Sequence, residues 1–144
     1  MDAPRRLTIL ALAAMILISC SGSIDRDLAF SAPPGWIHVP GPLDSDNYFH
    51  PGTNDIIVAR RVDSKDEPRG LPSQTQRKKT IICGTHQASL WIERESSQDG
   101  PQIWEAIDTL WNGRRYMAIY IRPVGSPADP SAEAAIRTLC PKPA

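Results

Sequence analysis

The feature that most constrains this chain is Asn112-Gly113, set between two runs rich in apolar and β-branched residues, Gln102 to Trp111 and Arg114 to Arg122. Both turn residues tolerate positive φ, which a two-residue hairpin turn requires, so the pair predicts a tight antiparallel hairpin. Such a turn also sets the register: Trp111 opposes Arg114, Thr109 opposes Tyr116 and Ala106 opposes Ile119. One face then carries Trp104, Ala106, Leu110, Met117, Ile119 and Ile121. The other carries Ile103, Ile107, Trp111, Tyr116, Ala118 and Tyr120, with Glu105 and Thr109 among them. Both faces are substantially apolar, so the sheet is expected to be covered on both sides.

Neighbouring segments extend the pattern. Gln87 to Glu95 alternates, with Ala88, Leu90 and Ile92 on one side and Ser89, Trp91 and Glu93 on the other, which predicts a strand. Ser96 to Pro101 reads as its turn, and Asp55 to Arg60 as a further short strand. Near the carboxyl end Asp129 can cap a helix and Pro130 suits its first position. Ala132, Ala135, Ile136 and Leu139 form one helical stripe ending near Cys140, and Pro141 stops it. Phe30 to Val39 is an extended lead-in whose prolines prevent helix and whose Trp36 anchors on the core. Pro40 to Asn54 reads as turns, and Val62 to Lys79 as a long surface loop with a short helix around Ser73 to Lys79. The expected fold class is therefore α+β: an antiparallel meander with an Asn-Gly hairpin, packed against a C-terminal helix. A second cover must come from residues 28–80 or be missing.

Length and charge narrow the function classes. The 144 residues suit one domain, and 16 basic side chains against 16 acidic ones give no net charge, which argues against a nucleic-acid partner. Fourteen prolines place many connections outside regular structure.

Arg5 and Arg6 precede an apolar run from Leu7 to Ile18, broken only by Thr8 and ending at Ser19-Cys20. Twelve residues are too few to span a bilayer, which needs roughly 20. The layout is that of an export signal. Leu17-Ile18-Ser19-Cys20 resembles the lipobox of bacterial lipoproteins. The resemblance implies cleavage before Cys20 and a diacylglyceryl thioether on its thiol, two acyl chains giving a stable anchor. On this reading residues 1–19 are a signal peptide, 20–28 the lipidated cysteine and a flexible tether, and 29–144 a single domain in the cell envelope. Signal removal takes Asp2, Arg5 and Arg6 and leaves a net charge of −1.

Export to an oxidising compartment makes Cys83 and Cys140 the natural disulfide, contributing on the order of 4 kcal/mol in the loop-entropy model. The competing reading is a metal site, because Cys83 and His86 have C-x-x-H spacing and Cys140 could join. Structural zinc wants four ligands, and no fourth is obvious among His38, His50 and the carboxylates.

The Phe30-x-x-Pro33-Pro34-Gly35-Trp36 lead-in, the irregular middle, the strand meander entered at Gly84, the hairpin with Tyr116 and Tyr120 and the closing helix look like the PsbP-like α/β/α sandwich. That resemblance implies a second helical layer and a non-enzymatic binding or assembly role. It supplies no functional residue.

Catalytic signals are sparse. No Gly-x-Ser-x-Gly elbow occurs, and the spacing of Asp44, Asp46, His50 and Asp55 matches no calcium loop. Glu93, Glu95, Glu105 and Asp108 stand on adjacent strands and would do acid–base work only if burial raised one pKa. Trp91, Trp111, Tyr116 and Tyr120 form a candidate contact surface if they share an exposed part of the sheet, with core packing the competing reading. The expected function is a small lipid-anchored, non-catalytic envelope module without cofactor or metal. Its expected partners are the membrane, through Cys20, and an envelope protein. The alternatives are an envelope hydrolase using Glu93 and Glu105, and a purely structural lipoprotein.

Overall fold

A computed structural model describes residues 28–41, 45–62 and 76–142. The expected signal peptide, the lipidation expected at Cys20, the expected tether as far as Asp27, Asp44 and most of the expected middle loop lie outside the described residues. A seven-stranded antiparallel sheet dominates the fold. Its strands, in chain order after the two-residue β1 (Leu28–Ala29), are β2 (Ile37–Pro40), β3 (Ser45–Phe49), β4 (Ile56–Val62), β5 (Lys78–Ile82), β6 (His86–Ser97), β7 (Gly100–Trp111) and β8 (Arg114–Pro123). One short helix, α1 (Pro130–Ala135), and β9 (Cys140–Pro141) follow. The order across the sheet is β2-β3-β4-β8-β7-β6-β5, and β1 pairs separately with β9.

The hairpin forms as its turn demands. Asn112 and Gly113 take φ of 52° and 76°, and Trp111 faces Arg114, Thr109 faces Tyr116 and Ala106 faces Ile119. The Gln87–Glu95 alternation lies inside β6, a 12-residue strand paired with β7 from Ser89 to Ser97 and with β5 from His86 to Leu90.

Two faces result. The inner face holds the larger core: Tyr48, Ile57, Ala59, Ile107, Tyr116, Ala118 and Tyr120 from the sheet, closed by Leu28, Phe30 and Trp36 from the lead-in and by Ala132, Ala135, Ile136 and Leu139. The outer face has a smaller core of Val62, Trp91, Ala106, Met117 and Ile119, flanked by half-buried Trp104 and Ile121.

The helical segment follows its sequence signals at its start and departs from them at its end. Asp129 caps it, accepting from Ser131 N–H at 2.9 Å, with Pro130 at the first position. The helix ends at Ala135, where Thr138 Oγ1 donates back to Ala135 O at 2.7 Å and accepts from Ser31 N–H at 3.0 Å. The expected stop at Pro141 is thus corrected: Cys140–Pro141 is strand, paired with Leu28–Ala29. A strand, β3, also replaces part of the turns expected from Pro40 to Asn54. Asp46 and Asn47 have poor strand propensity, but pairing with β2 and β4 on both sides overrides it. Lys78 and Lys79 belong to β5 rather than to a short helix. With one six-residue helix among the described residues, the fold is sheet-dominated α+β, with more β than an α/β/α sandwich.

Candidate functional site

The four aromatic residues expected to share a contact surface do not. Trp91 lies in the outer core at 3% exposure, while Tyr116, Tyr120 and Trp111 point to the inner face. The parity of their registers separates them: Trp91 opposes Ala106, whereas Tyr120 opposes Glu105 and Tyr116 opposes Thr109. Tyr116 and Tyr120 are buried under the lead-in and helical segment, and half-buried Trp111 stacks on His86 with ring centroids 3.5 Å apart. Their polar tips are used internally. Tyr120 Oη donates to Asp55 at 2.6 Å and accepts from Asp129 N–H at 3.1 Å, and Trp111 Nε1–H donates to Leu139 O at 3.2 Å. Burial and the Asp55 carboxylate raise the Tyr120 phenol further above its ordinary value. These contacts make the aromatics packing elements.

Cys83 and Cys140 are bonded to each other, with Cα atoms 5.8 Å apart. The bond ties β9 to the β5–β6 turn. His86 is not a ligand beside it: Thr109 Oγ1 donates to Gln87 O, which leaves His86 Nε2–H as donor to Thr109 Oγ1 at 2.8 Å. Among the described residues, no three His, Cys, Asp or Glu side chains gather in a way that could hold a metal ion. His50 Nδ1 accepts from Gly52 N–H at 2.9 Å, and His38 Nε2 lies 2.6 Å from Asp46.

The carboxylates divide between faces. Glu105 points inward, 4% exposed, and lies beside Glu133 of α1 with Arg137 Nη2 at 3.9 Å. Burial, then repulsion from and hydrogen bonding with Glu133, raises its pKa against the pull of Arg137 and Arg122. Asp108 points outward into two guanidiniums: Arg115 binds it in bidentate fashion at 2.9 and 2.5 Å, and Arg77 lies at 3.2 Å. Glu93 and Glu95 also point outward, opposite Trp104 and Gln102. Partial burial and the neighbouring Glu95 raise the Glu93 pKa.

The sheet also has two distinct ends. At one, the β5–β6 turn and the Asn112-Gly113 turn lie together, since His86 stacks on Trp111. Leu28–Ala29 is held at this end through β9 and the disulfide. At the other, the β3–β4 and β6–β7 turns border a cleft of 640 Å³ lined by Phe49, His50, Asp55, Ile56, Asp99, Gln102 and Pro123. A 12-residue strand such as β6 separates the ends by about 40 Å. Beside the cleft the register sets Ile37, Phe49, Ile56, Ile121 and Trp104 in a row across the outer face, and the sequence reading names neither the cleft nor this row. The row joins distant strands, and the one strand it draws from the expected turn region is β3.

No protein-family model and no curated protein matches this chain. A solved structure does. It is a protein from Bacteroides thetaiotaomicron VPI-5482, 20% identical, with a TM-score of 0.58 over 81% of this chain. The match covers 45% of that protein, so this chain spans less than half of its length. The similarity is one of fold.

Among the described residues, no helix is long and apolar enough to cross a membrane.

Proposed function

We propose that the chain is a lipid-anchored cell-envelope lipoprotein whose domain is a non-catalytic binding module for another envelope protein. The observation that carries this reading is the division of the carboxylates: Glu93 and Glu105, the pair on which the alternative hydrolase reading rests, stand on opposite faces of the sheet. Two groups separated by a sheet cannot flank one scissile bond. Asp108, between two arginines, is occupied as an ion-pair partner.

The anchor half of the proposal rests on the basic, apolar and Leu17-Ile18-Ser19-Cys20 sequence pattern. The residues that follow the tether are tied down where a tethered domain needs it, by β9 and the Cys83–Cys140 bond. A binding or assembly role also agrees with the PsbP-like resemblance, whose second helical layer would have to involve residues outside those described.

Mass spectrometry of the membrane fraction tests the reading. The expected amino-terminal peptide begins at Cys20 and carries acyl chains; an unmodified terminus at another position would overturn the anchor. Purified chain incubated with peptidoglycan and glycan substrates should release no product, and turnover abolished by Glu93→Gln or Glu105→Gln would overturn the non-catalytic role.

A further inference from the structure

The cleft between the β3–β4 and β6–β7 turns has fixed walls. β8 runs between β4 and β7 in the sheet, so its end at Pro123 lies between the two turns. On one side Gly52 N–H donates to His50 Nδ1 at 2.9 Å, Asp55 N–H to Thr53 Oγ1 at 3.1 Å and His50 N–H to Asp55 O at 3.1 Å. On the other, Ser97 Oγ donates to Gly100 O at 2.7 Å and accepts from Asp99 N–H at 3.2 Å. Val124 N–H ties the end of β8 to Pro101 O at 3.0 Å. The 640 Å³ volume is that of a small-molecule site.

Its charge has one sign. Asp55 on one wall and Asp99 on the other each bring a carboxylate, with Ile56 and Pro123 as apolar surface, and among the described residues no lysine or arginine lines the cleft. His50 adds no positive charge, because an Nδ1 that accepts from Gly52 carries no proton. Asp55 is the group left incomplete. It is 5% exposed and its Oδ2 accepts from Tyr120 Oη at 2.6 Å, but among the described residues nothing donates to Oδ1 and no cation pairs with the carboxylate. Arg122 lies over the Tyr120 ring, 5.7 Å from its centroid, and forms no ion pair with Asp55. Buried carboxylates are as a rule paired or fully hydrogen-bonded.

We propose that this cleft binds a primary alkylammonium ion, its head seated on Asp55 Oδ1 and its aliphatic chain lying over Ile56 and Pro123 toward the Asp99 wall. An ammonium head supplies both the missing charge and the missing N–H donor. An anion would face two carboxylates, and a neutral polyol would leave the buried charge uncompensated. A metal ion lacks its ligands, since no three His, Cys, Asp or Glu side chains among the described residues gather to hold one. The site stands whether or not Cys20 carries lipid.

Amide NMR of the full chain in nonionic detergent tests it, with pentylamine as the probe and pentanol and pentanoate as chain-matched controls. Pentylamine should shift the Asn54, Ile56 and Gln102 amides saturably and leave Gly113, at the far end of the sheet, unmoved. Pentanol and pentanoate should bind at least about tenfold more weakly. Asp55→Asn should weaken pentylamine binding about tenfold and Asp99→Asn about threefold. Asp99 is an exposed turn residue, so its variant reads the charge dependence even where Asp55→Asn does not fold. Nα-acetyl-lysinamide separates two sources of the same chemistry: binding as tight as that of pentylamine assigns the ammonium to a lysine side chain, and weaker binding assigns it to a free amine. Equal affinity for pentanol, tighter binding of glucose or calcium than of pentylamine, indifference to both variants, or no saturable shift would overturn the proposal.

Discussion

The two faces of the sheet are built from equally apolar strands and end in different states. The inner face is closed by two segments from opposite ends of the chain, 28–36 and 127–139, and its polar atoms are drawn into their contacts: Tyr120 to Asp55 and Asp129, Trp111 to Leu139, Ser31 to Thr138. The outer face has a closed centre and an open flank, where Ile37, Val39 and Phe49 meet solvent beside two glutamates. Hydrophobic pattern alone therefore does not decide what is core. The inner face is core because chain was available to cover it and to satisfy its buried polar groups.

The comparison breaks most visibly if the inner cover is released. Cys83→Ala with Cys140→Ala removes a cross-link between residues separated by 57 positions and should cost about 4 kcal/mol, read as a lower urea midpoint. Truncating the two faces sharpens it further. Ile107→Ala, fully buried on the inner face, should cost about 3 kcal/mol, whereas Ile121→Ala on the half-buried outer flank should cost about 1. Equal losses would show that the outer flank is as well packed as the inner core.

Polar contacts come next. Tyr120→Phe leaves the Asp55 carboxylate buried without its phenol donor and should cost about 2 kcal/mol in chemical denaturation. The smallest effect is pH-dependent. The folded state raises the Glu105 pKa, so its contribution is fully present below the ordinary carboxylate range and is lost as pH rises through the raised value. Between about pH 4 and pH 8, Glu105→Gln should therefore flatten the fall in melting temperature. Parallel profiles for the two proteins would remove that assignment.

Much of the sheet was legible because local chemistry agreed with the global arrangement. Asn112-Gly113 fixed its own register, the β6 alternation named both of its faces, and Asp129-Pro130 marked a real helix start. β3 was hidden because Asp46 and Asn47 are turn residues recruited into a strand by neighbours on both sides. The helix end was misplaced because Thr138 closes the turn before Pro141 can act. The aromatic surface failed for a different reason. Four aromatics close in sequence were grouped by type, and strand parity placed Trp91 on the face opposite the other three. The exposed row was beyond reach because it joins Ile37 to Trp104 through a strand order that runs β2-β3-β4-β8-β7.

If the chain is anchored through Cys20 as proposed, the disulfide end faces the bilayer and the cleft end faces away from it. Amide NMR of the acylated full chain in nanodiscs carrying a paramagnetic headgroup lipid tests this directly. The account predicts strong broadening at Gly113 and none at Asp99, about 40 Å away. Broadening at Asp99 equal to or greater than that at Gly113 would contradict it.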